Sequence, residues 1–299
     1  MLHKIIYTIL GFALAFIFFP YSANDSKHPV LVSGASTQAS NHPVLNAPEL
    51  AMSVPAPIIT AKSALAYDYD TGTVLYSKNL DDKLPIASLT KLMTALVVVK
   101  QGDLDKTVMI EKRDLTSIGS TMGLVLGEEI KIHDLLKALL IPSANDAALA
   151  LAHHTVGDIT SFAQVMNEQA QSLGLVSTKF TNPVGWDIDE NYSTTQDLVK
   201  VVQEVMKHQE LTEIIRTRET VVFSVDGAYT HKLTTTNKLL IDNKEVIGIK
   251  TGFTAKALGN LIILQEHNGR KVVTIILGSE NREGDTQKLL NWLFTVYRW

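Results

Sequence analysis

The order in which strand-like and helix-like patterns follow one another restricts this chain more than any other feature of its sequence. Two short segments rich in residues that favour strands, Ala64–Asp68 and Thr73–Lys78, flank the turn-forming Asp70-Thr71-Gly72 and predict a hairpin. From Ile86 to about Ile215, apolar residues recur mainly at helical spacing, and a last amphipathic helix is predicted over Thr286–Trp299. Between these helical regions stand four further predicted strands: Thr220–Val225, Val246–Lys250, Leu258–Gln265 and Lys271–Leu277.

This order predicts an α/β chain of the α+β kind. An antiparallel sheet is flanked by helices, and a mostly helical subdomain is inserted between its early and late strands. Apolar residues make up 45% of the 299 residues, so the chain can bury a substantial core. Its net charge of −4 and its scattered Lys and Arg residues indicate no nucleic-acid partner. The absence of cysteine excludes disulfides, thiolate catalysis and Cys-ligated metal sites.

The N-terminal segment, residues 1–23, predicts export. His3 and Lys4 precede an apolar run from Ile5 to Phe19, which Pro20 ends. A charged start before such a run is typical of a signal peptide, and the run is also close to the length of a membrane anchor. Both interpretations stay open. Either one places the rest of the chain in the periplasm or on the outer face of the cytoplasmic membrane, and an uncleaved segment would tether it there.

The next segment, residues 24–59, has the composition of a flexible linker. It is rich in Ser, Ala, Asn and Pro, and it contains the tetrapeptide His-Pro-Val-Leu twice without helical or strand periodicity. The sequence therefore predicts a folded domain over residues 60–299, joined by this linker to the N-terminal segment.

The first of three short motifs that carry chemistry is Ser88-Leu89-Thr90-Lys91. If Ser88 lies at the start of a helix, Lys91 is one turn further along and faces the same way. A serine hydroxyl is a weak nucleophile until a base takes its proton, and a lysine can do so when burial disfavours its charged form. Taken alone, the motif is more typical of a capped helix with a surface lysine.

The second and third motifs offer groups that can handle a peptide substrate. Ser143-Ala144-Asn145 follows Pro142 in a predicted loop between helices, where the hydroxyl can relay a proton and the amide can hold a carbonyl. A serine cap for the next helix explains it equally well. Lys250-Thr251-Gly252 continues an apolar strand, and its Lys and Thr suit an anionic group such as a carboxylate. The glycine allows close approach of a ligand, and a solvated lysine is the plain alternative.

Together and in this order, the three motifs are the set found in penicillin-binding proteins and class A β-lactamases. The chain resembles the D-alanyl-D-alanine carboxypeptidase family of low-molecular-mass penicillin-binding proteins over Ala61–Trp299. The segments that carry the resemblance are Pro85–Thr94, Ser143–Ala147, Phe180–Pro183 with Gly185, Tyr192–Thr194, Thr236–Leu240 and Gly248–Thr254.

The resemblance implies a serine β-lactamase/transpeptidase-like fold. The implied enzyme is a serine D-Ala-D-Ala carboxypeptidase that trims peptidoglycan stem pentapeptides and is acylated by β-lactams. In it, Ser88 is the nucleophile, Lys91 the base, and Ser143 passes the proton towards the leaving amine. The implied substrate-binding residues are Asn145, Lys250, Thr251, Gly252 and Phe253. The backbone N–H groups of Ser88 and Phe253 would form the oxyanion hole, and no cofactor or metal is implied.

Three alternatives remain beside this interpretation. A D,D-endopeptidase that cleaves peptidoglycan cross-links would carry nearly the same motifs. A class A β-lactamase usually needs an added glutamate for deacylation, and no Glu-x-x-x-Asn pattern lies between Leu151 and Trp186 to supply it. A non-enzymatic wall-binding protein would be expected to have lost one of the motif residues. As for metal binding, the adjacent His153 and His154 are expected to point to different sides of a helix.

Overall fold

The computed structural model describes residues 46–187 and 190–299. The predicted signal or anchor segment and most of the predicted linker lie outside the described residues. The strands are β1 (Glu49–Leu50), β2 (Ser63–Asp68), β3 (Val74–Lys78), β4 (Leu84–Pro85), β5 (Thr107–Met109), β6 (Glu129–Lys131), β7 (Tyr192–Ser193), β8 (Glu219–Phe223), β9 (Thr230–Thr234), β10 (Val246–Thr254), β11 (Leu258–His267), β12 (Arg270–Ser279) and β13 (Tyr297–Arg298). The helices are α1 (Thr90–Gln101), α2 (Ile132–Leu140), α3 (Asn145–Val156), α4 (Ile159–Ser172), α5 (Thr195–Val205), α6 (Gln209–Arg216), α7 (Lys238–Asp242) and α8 (Arg282–Val296).

A five-stranded antiparallel sheet in the order β10-β11-β12-β2-β3 confirms the predicted fold class. Alternate side chains of each strand point to opposite faces, and both faces are covered. The face towards the helical subdomain buries Leu65, Tyr67, Ile262, Leu264, Val273 and Ile275. The face towards α8 buries Ala64, Ala66, Leu261, Ile263, Val272 and Ile276. Among the described strands, β10 pairs with β11 alone and so forms one edge of the sheet.

The helical subdomain is built around α1, whose residues are buried almost along its whole length. Helix α1 packs on α2, α3, α4 and α5, so it is enclosed by other helices on most sides. A helix in such a position needs apolar residues all around rather than along one stripe, and α1 is accordingly rich in Leu, Val, Ala and Met. The turn that precedes α1 contacts β10 and β11, so the N-terminal end of α1 lies at the junction between the subdomain and the sheet.

The structure differs from the predicted elements mainly at their ends. The three late strands of the sheet are longer than predicted, and the last helix starts at Arg282 rather than Thr286. It ends at Val296 because Tyr297–Arg298 pairs with Glu49–Leu50 as a short strand. Strand β9 and helix α7 were not expected, since neither of these five-residue elements is long enough to show a clear periodicity.

The predicted linker needs a correction at its C-terminal end. Within residues 46–59, strand β1 pairs with β13, and the Ala51 N–H donates to Val296 O at 2.7 Å. The indole N–H of Trp292 donates to Val54 O at 3.1 Å. These contacts bind the segment to the last helix although its composition resembles a linker. Among the described residues, none of the helices has the length and apolar character needed to cross a membrane.

Candidate active site

The residue predicted as nucleophile lies in a strained turn directly before α1. Ser88 is the middle residue of a 3₁₀ turn over Ala87–Leu89, and Ala87 adopts a positive φ of 47°. A non-glycine residue seldom adopts this conformation, and such strain concentrates at functional sites. Lys91 follows in the first turn of α1, and its Nζ lies 2.9 Å from Ser88 Oγ. The helical spacing predicted from the sequence therefore brings the two groups into hydrogen-bond contact.

Lys91 is fully buried, and its ammonium group is surrounded by acceptors. Besides Ser88 Oγ, the Nζ donates to Asn145 Oδ1 at 2.8 Å and to Val184 O at 3.0 Å. Burial lowers the pKa of Lys91 from 10.5 to about 7, while the nearby negative charge of Asp146 acts in the opposite direction. A lysine with such a pKa is partly neutral near pH 7 and can accept a proton from the hydroxyl beside it.

The second motif lies in the loop between α2 and α3, as predicted. Ser143 has a positive φ of 65°, its side chain lines the cleft, and its buried Oγ has no partner among the described residues. Ala144, not Ser143, is the residue that precedes the first turn of α3, so the alternative of a serine cap is wrong. Asn145 is held at both ends of its amide, since its Nδ2 also donates to Ile118 O at 2.6 Å.

The third motif lies on the edge strand β10. Thr251 lines the cleft, and its hydroxyl lies 2.6 Å from the hydroxyl of Thr236. Lys250 is only 2% exposed, and its Nζ donates to Thr251 O at 3.1 Å. Burial lowers the pKa of Lys250 well below its ordinary value, and the positive charges of Lys91 and Arg282 lower it further. The side chain of Phe253, by contrast, stands 67% exposed at the rim of the cleft.

Two glycines let the backbone of the site close up around the nucleophile turn. A Cβ at Gly252 would lie 3.0 Å from Ile86 O and 3.2 Å from Ser88 N, so β10 passes directly beside Ser88. Gly185 has a φ of +91°, and a Cβ there would lie only 2.0 Å from Ala87 O. Gly185 therefore requires a residue without a side chain, whereas a Cβ at Gly252 would make a tight contact that needs a small shift of its neighbours.

These elements enclose a cleft of about 310 Å³ that opens above Ser88. It is lined by Ser88, Ile118, Gly119, Ser120, Ser143, Asn145, Val184, Gly185, Trp186, Thr236, Thr251, Gly252, Phe253, Thr254 and Arg282. All predicted site residues thus come together, with the side chains of Lys91 and Lys250 buried behind the surface. Arg282 carries no motif signal and was missed by the sequence analysis. From the first turn of α8, it donates to Gly252 O at 2.8 Å.

The wall of the cleft around Ile118–Ser120 is held by a buried polar network. The carboxylate of Asp146 accepts the backbone N–H groups of Met122, Gly123 and Leu124 at 3.0 to 3.2 Å. The Asn145 N–H donates to Ser120 O at 2.7 Å. Asp146 directly follows Asn145, so one turn of α3 fixes both the amide beside Lys91 and the opposite wall of the cleft.

The two adjacent histidines do not diverge as expected. His153 Nδ1 lies 2.6 Å from one oxygen of Asp114, and His154 Nε2 lies 3.1 Å from the other. Both rings therefore contact the same buried carboxylate, one through each of its oxygens. Within residues 46–187 and 190–299, no group of three or more His, Asp or Glu side chains is arranged to hold a metal ion.

Comparisons with known proteins identify the family of the chain. The peptidase S11 family model, described as D-alanyl-D-alanine carboxypeptidase, matches residues 50–281. The carboxypeptidase DacF of Bacillus subtilis is 32% identical over 246 residues, which are 79% of this chain and 63% of DacF. The D-alanyl-D-alanine endopeptidase of Escherichia coli is 33% identical over 245 residues, which are 80% of this chain and 79% of that protein.

Solved structures of known proteins share the fold. The crystal structure of the Streptomyces K15 DD-transpeptidase superposes with a TM-score of 0.76 at 32% identity, and the match covers 81% of this chain and all of that one. The chain spans less than two thirds of the length of DacF and of the Haemophilus influenzae carboxypeptidase DacA. The resemblance inferred from the motifs is confirmed, and the chain belongs to the D-alanyl-D-alanine carboxypeptidase family, peptidase S11.

Proposed function

We propose that the protein is a serine D-Ala-D-Ala carboxypeptidase that removes the terminal D-alanine from peptidoglycan stem pentapeptides. One observation carries the proposal: a buried lysine with a lowered pKa lies 2.9 Å from a serine hydroxyl at the floor of an open cleft. This pairing gives Ser88 a base for nucleophilic attack, with Lys91 taking the hydroxyl proton. The same pairing would let a β-lactam acylate Ser88.

The acylation step follows from the positions of the surrounding groups. Ser88 Oγ attacks the carbonyl carbon between the two D-alanines, and its proton passes to Lys91 Nζ. The backbone N–H groups of Ser88 and Phe253 would stabilise the oxyanion, since β10 passes beside the nucleophile turn at Gly252. The carbon–nitrogen bond then breaks, and the leaving amine receives a proton through Ser143. Water attacks the acyl-enzyme, which releases the shortened peptide and restores the Ser88 hydroxyl.

The terminal carboxylate of the substrate would bind between Thr251 and Arg282. Thr251 offers a hydroxyl at the cleft surface, and the Thr236 hydroxyl at 2.6 Å can orient it. Arg282 is a permanent cation that lines the cleft, whereas burial disfavours the charged form of Lys250. Lys250 therefore supports this subsite from behind, and Arg282 is the direct partner of the carboxylate. Asn145 would contribute to substrate binding indirectly, because its amide holds both Lys91 Nζ and the Ile118 carbonyl in the wall of the cleft.

Release of D-alanine from a pentapeptide and from its C-terminally amidated analogue tests this assignment. In the wild type, amidation should lower kcat/KM sharply because a charge-assisted contact is lost. In Arg282→Ala, kcat/KM for the free acid should fall, and amidation should then have a much smaller effect. Arg298→Ala is a matched control, since Arg298 is exposed and does not line the cleft. An equal amidation effect in Arg282→Ala and wild type would contradict this role for Arg282.

The alternative function is D,D-endopeptidase action on peptidoglycan cross-links. It is favoured by the similarity to the Escherichia coli endopeptidase, of which the match covers 79%. A cross-link also carries a carboxylate beside its scissile bond, so the same subsite would serve both reactions. The ratio of kcat/KM for pentapeptide trimming to that for cleavage of a cross-linked dimer separates them. We expect a ratio above one, and a ratio well below one would assign the chain to the endopeptidases.

The proposal includes export to the cell wall, where the substrate is found. Residues 1–23 would act as a signal peptide or membrane anchor, followed by a linker that ends before Glu49 and then by the catalytic domain. A reporter enzyme that is active only outside the cytoplasm, fused after Asn46, should be active. Removal of residues 1–23 should abolish that activity, and a reporter that stays active without them would contradict export.

A further inference from the structure

A strip of aromatic rings lies on the surface of the domain, outside the catalytic cleft. We call it the aromatic strip, and it consists of Tyr76, Trp292, Phe294, Tyr297, Trp299 and His267. Neighbouring ring centroids are 4.7 to 6.3 Å apart along this series. The strip contains two of the three tryptophans of the chain, and every ring in it is only partly buried. Five of the rings pack on the core between the sheet and α8 with one side, which leaves their other side to the surface.

Hydrogen bonds fix the orientation of three rings of the strip. The indole N–H of Trp299 donates to Asp68 Oδ2 at 2.7 Å, and that of Trp292 donates to Val54 O at 3.1 Å. The hydroxyl of Tyr297 donates to Leu75 O at 2.9 Å. Because the polar atoms of these three rings are bonded to the protein, the part of each ring that remains exposed is mostly apolar surface. A ligand that contacts them needs no costly ordering of the side chains.

A cavity of about 380 Å³ opens beside one end of the strip, lined by His267, Asn268, Arg270, Phe294, Tyr297 and Trp299. The β11–β12 turn places the exposed amide of Asn268 and the guanidinium of Arg270 at its edge. Among the described residues, Arg270 has no carboxylate or carbonyl partner, whereas His267 is paired with Glu245 at 3.0 Å. The Asn268 Nδ2 lies 3.1 Å from His267 Nε2, so among the described residues the amide oxygen of Asn268 and the guanidinium of Arg270 are the polar groups that a ligand beside the aromatic rings could use.

We propose that this cavity and the aromatic strip bind the glycan strand of the cell wall, a chain of N-acetylated sugars whose carboxyl groups are free wherever no stem peptide is attached. Sugar rings present C–H groups on their faces, which pack on aromatic rings, and hydroxyl and acetamido groups at their edges, which pair with an amide such as Asn268. An unpaired guanidinium suits a carboxylate on the same ligand. A protein partner would also use aromatic and Arg residues, so it is a distinct outcome of the test.

The site would hold the enzyme on its polymer while the cleft works on the attached peptides. Leu261, the partner of Thr251 in the sheet, lies six residues before His267 on β11, which places the cavity roughly 20 Å from the cleft. At this distance the site does not take part in the chemistry. Instead it raises the local concentration of stem peptides around the cleft. This inference rests on the proposed action on cell-wall peptides.

Two probes test the proposal by calorimetric titration of the full chain. The first is glycan from peptidoglycan whose stem peptides an amidase has removed, which leaves free carboxyl groups. The second is chitopentaose, a neutral oligomer of N-acetylglucosamine. Trp299→Ala should weaken binding of both probes at least about tenfold, as loss of a central aromatic contact does. Arg270→Gln should weaken binding of the carboxylated glycan much more than that of chitopentaose, whereas Arg298→Gln, a neighbouring exposed arginine outside the cavity, should change neither.

Two results would overturn the glycan site. They are an absence of binding to both probes, which would favour a protein as the occupant of the strip, and binding that Trp299→Ala and Arg270→Gln leave unchanged. Arg270→Gln keeps the test valid should Trp299→Ala fail to fold, because the Arg270 side chain makes no bond that the fold requires. Penicillin acylation of Ser88 should stay within about twofold of wild type in each folded variant. Glycan binding without D-alanine release would refute the proposed function and leave the site in place.

Discussion

Replacement of Gly185 by alanine tests whether the nucleophile turn is held in place by close backbone packing. The new Cβ would lie 2.0 Å from Ala87 O and 2.9 Å from Thr90 Oγ1. Real Cβ atoms essentially never come closer than 3.0 Å to another heavy atom, so Ala87 and residue 185 must separate by about 1 Å. Ala87 directly precedes Ser88, so the hydroxyl moves relative to Lys91 and to the backbone N–H groups. A displacement of this size costs about 100-fold in rate.

Gly227→Ala is the matched control for backbone strain. Gly227 also has a positive φ of +72°, but a Cβ there would meet nothing within 4 Å. Both variants lose about 1 to 2 kcal/mol of stability because an L-residue is strained in this conformation. Gly185→Ala should lose about 1 to 3 kcal/mol of stability in addition, because its new Cβ is forced against Ala87. The difference in the free energy of unfolding between the two variants isolates that contact.

The assay is the second-order rate constant for acylation by a fluorescent penicillin, measured beside urea unfolding curves. We expect Gly185→Ala to react about 100-fold more slowly than wild type, and Gly227→Ala to react within about twofold of it. The comparison is made under conditions in which both variants are folded. A Gly185→Ala protein that is folded and acylated at the wild-type rate would refute the idea that this contact positions Ser88.

Three further predictions concern pH and stability. Acylation should rise with pH through about 7, because Lys91 must lose its proton before it can act as a base, and a flat profile between about pH 5 and 9 would contradict this role. Asp285→Ala should lower the free energy of unfolding by about 2 to 4 kcal/mol, since its carboxylate accepts four hydrogen bonds from Thr60, Ala61 and Ser279. Burial raises the pKa of Asp285, but these hydrogen bonds outweigh burial and lower the pKa below 3.8. Their stabilisation is therefore present above about pH 4 and is lost as the pH falls through the lowered pKa. If Asp285→Ala loses stability in acid to the same extent as the wild type, this reasoning is contradicted. Thr194→Ala removes the side-chain cap of α5 and should lower the free energy of unfolding by about 1 kcal/mol, which a lower melting temperature would reveal, without slowing acylation.

The sequence alone determined the class of the fold, since periodicity depends only on local residue order. Short β-branched or aliphatic segments separated by Gly, Asn or Asp in the late part of the chain, and helical spacing between Ile86 and Ile215, were sufficient to predict an antiparallel sheet with an inserted helical subdomain. The motifs also predicted the pairing of Ser88 with Lys91, because residues three apart on a helix lie on one face. These inferences needed no information about distant parts of the chain.

The tertiary structure decided which groups meet across the cleft. Arg282 reaches the cleft because α8 begins beside Gly252, which no local pattern of residues indicates. The same packing buries Lys250 beside other cations and so disfavours the charge that its sequence motif suggested. The ends of the elements also depended on tertiary contacts, as at Tyr297–Arg298, where pairing with Glu49–Leu50 replaces the last turn of the predicted helix. Burial and long-range pairing arise only when distant segments pack together, so they determine the electrostatics of the site although the motifs determine its chemistry.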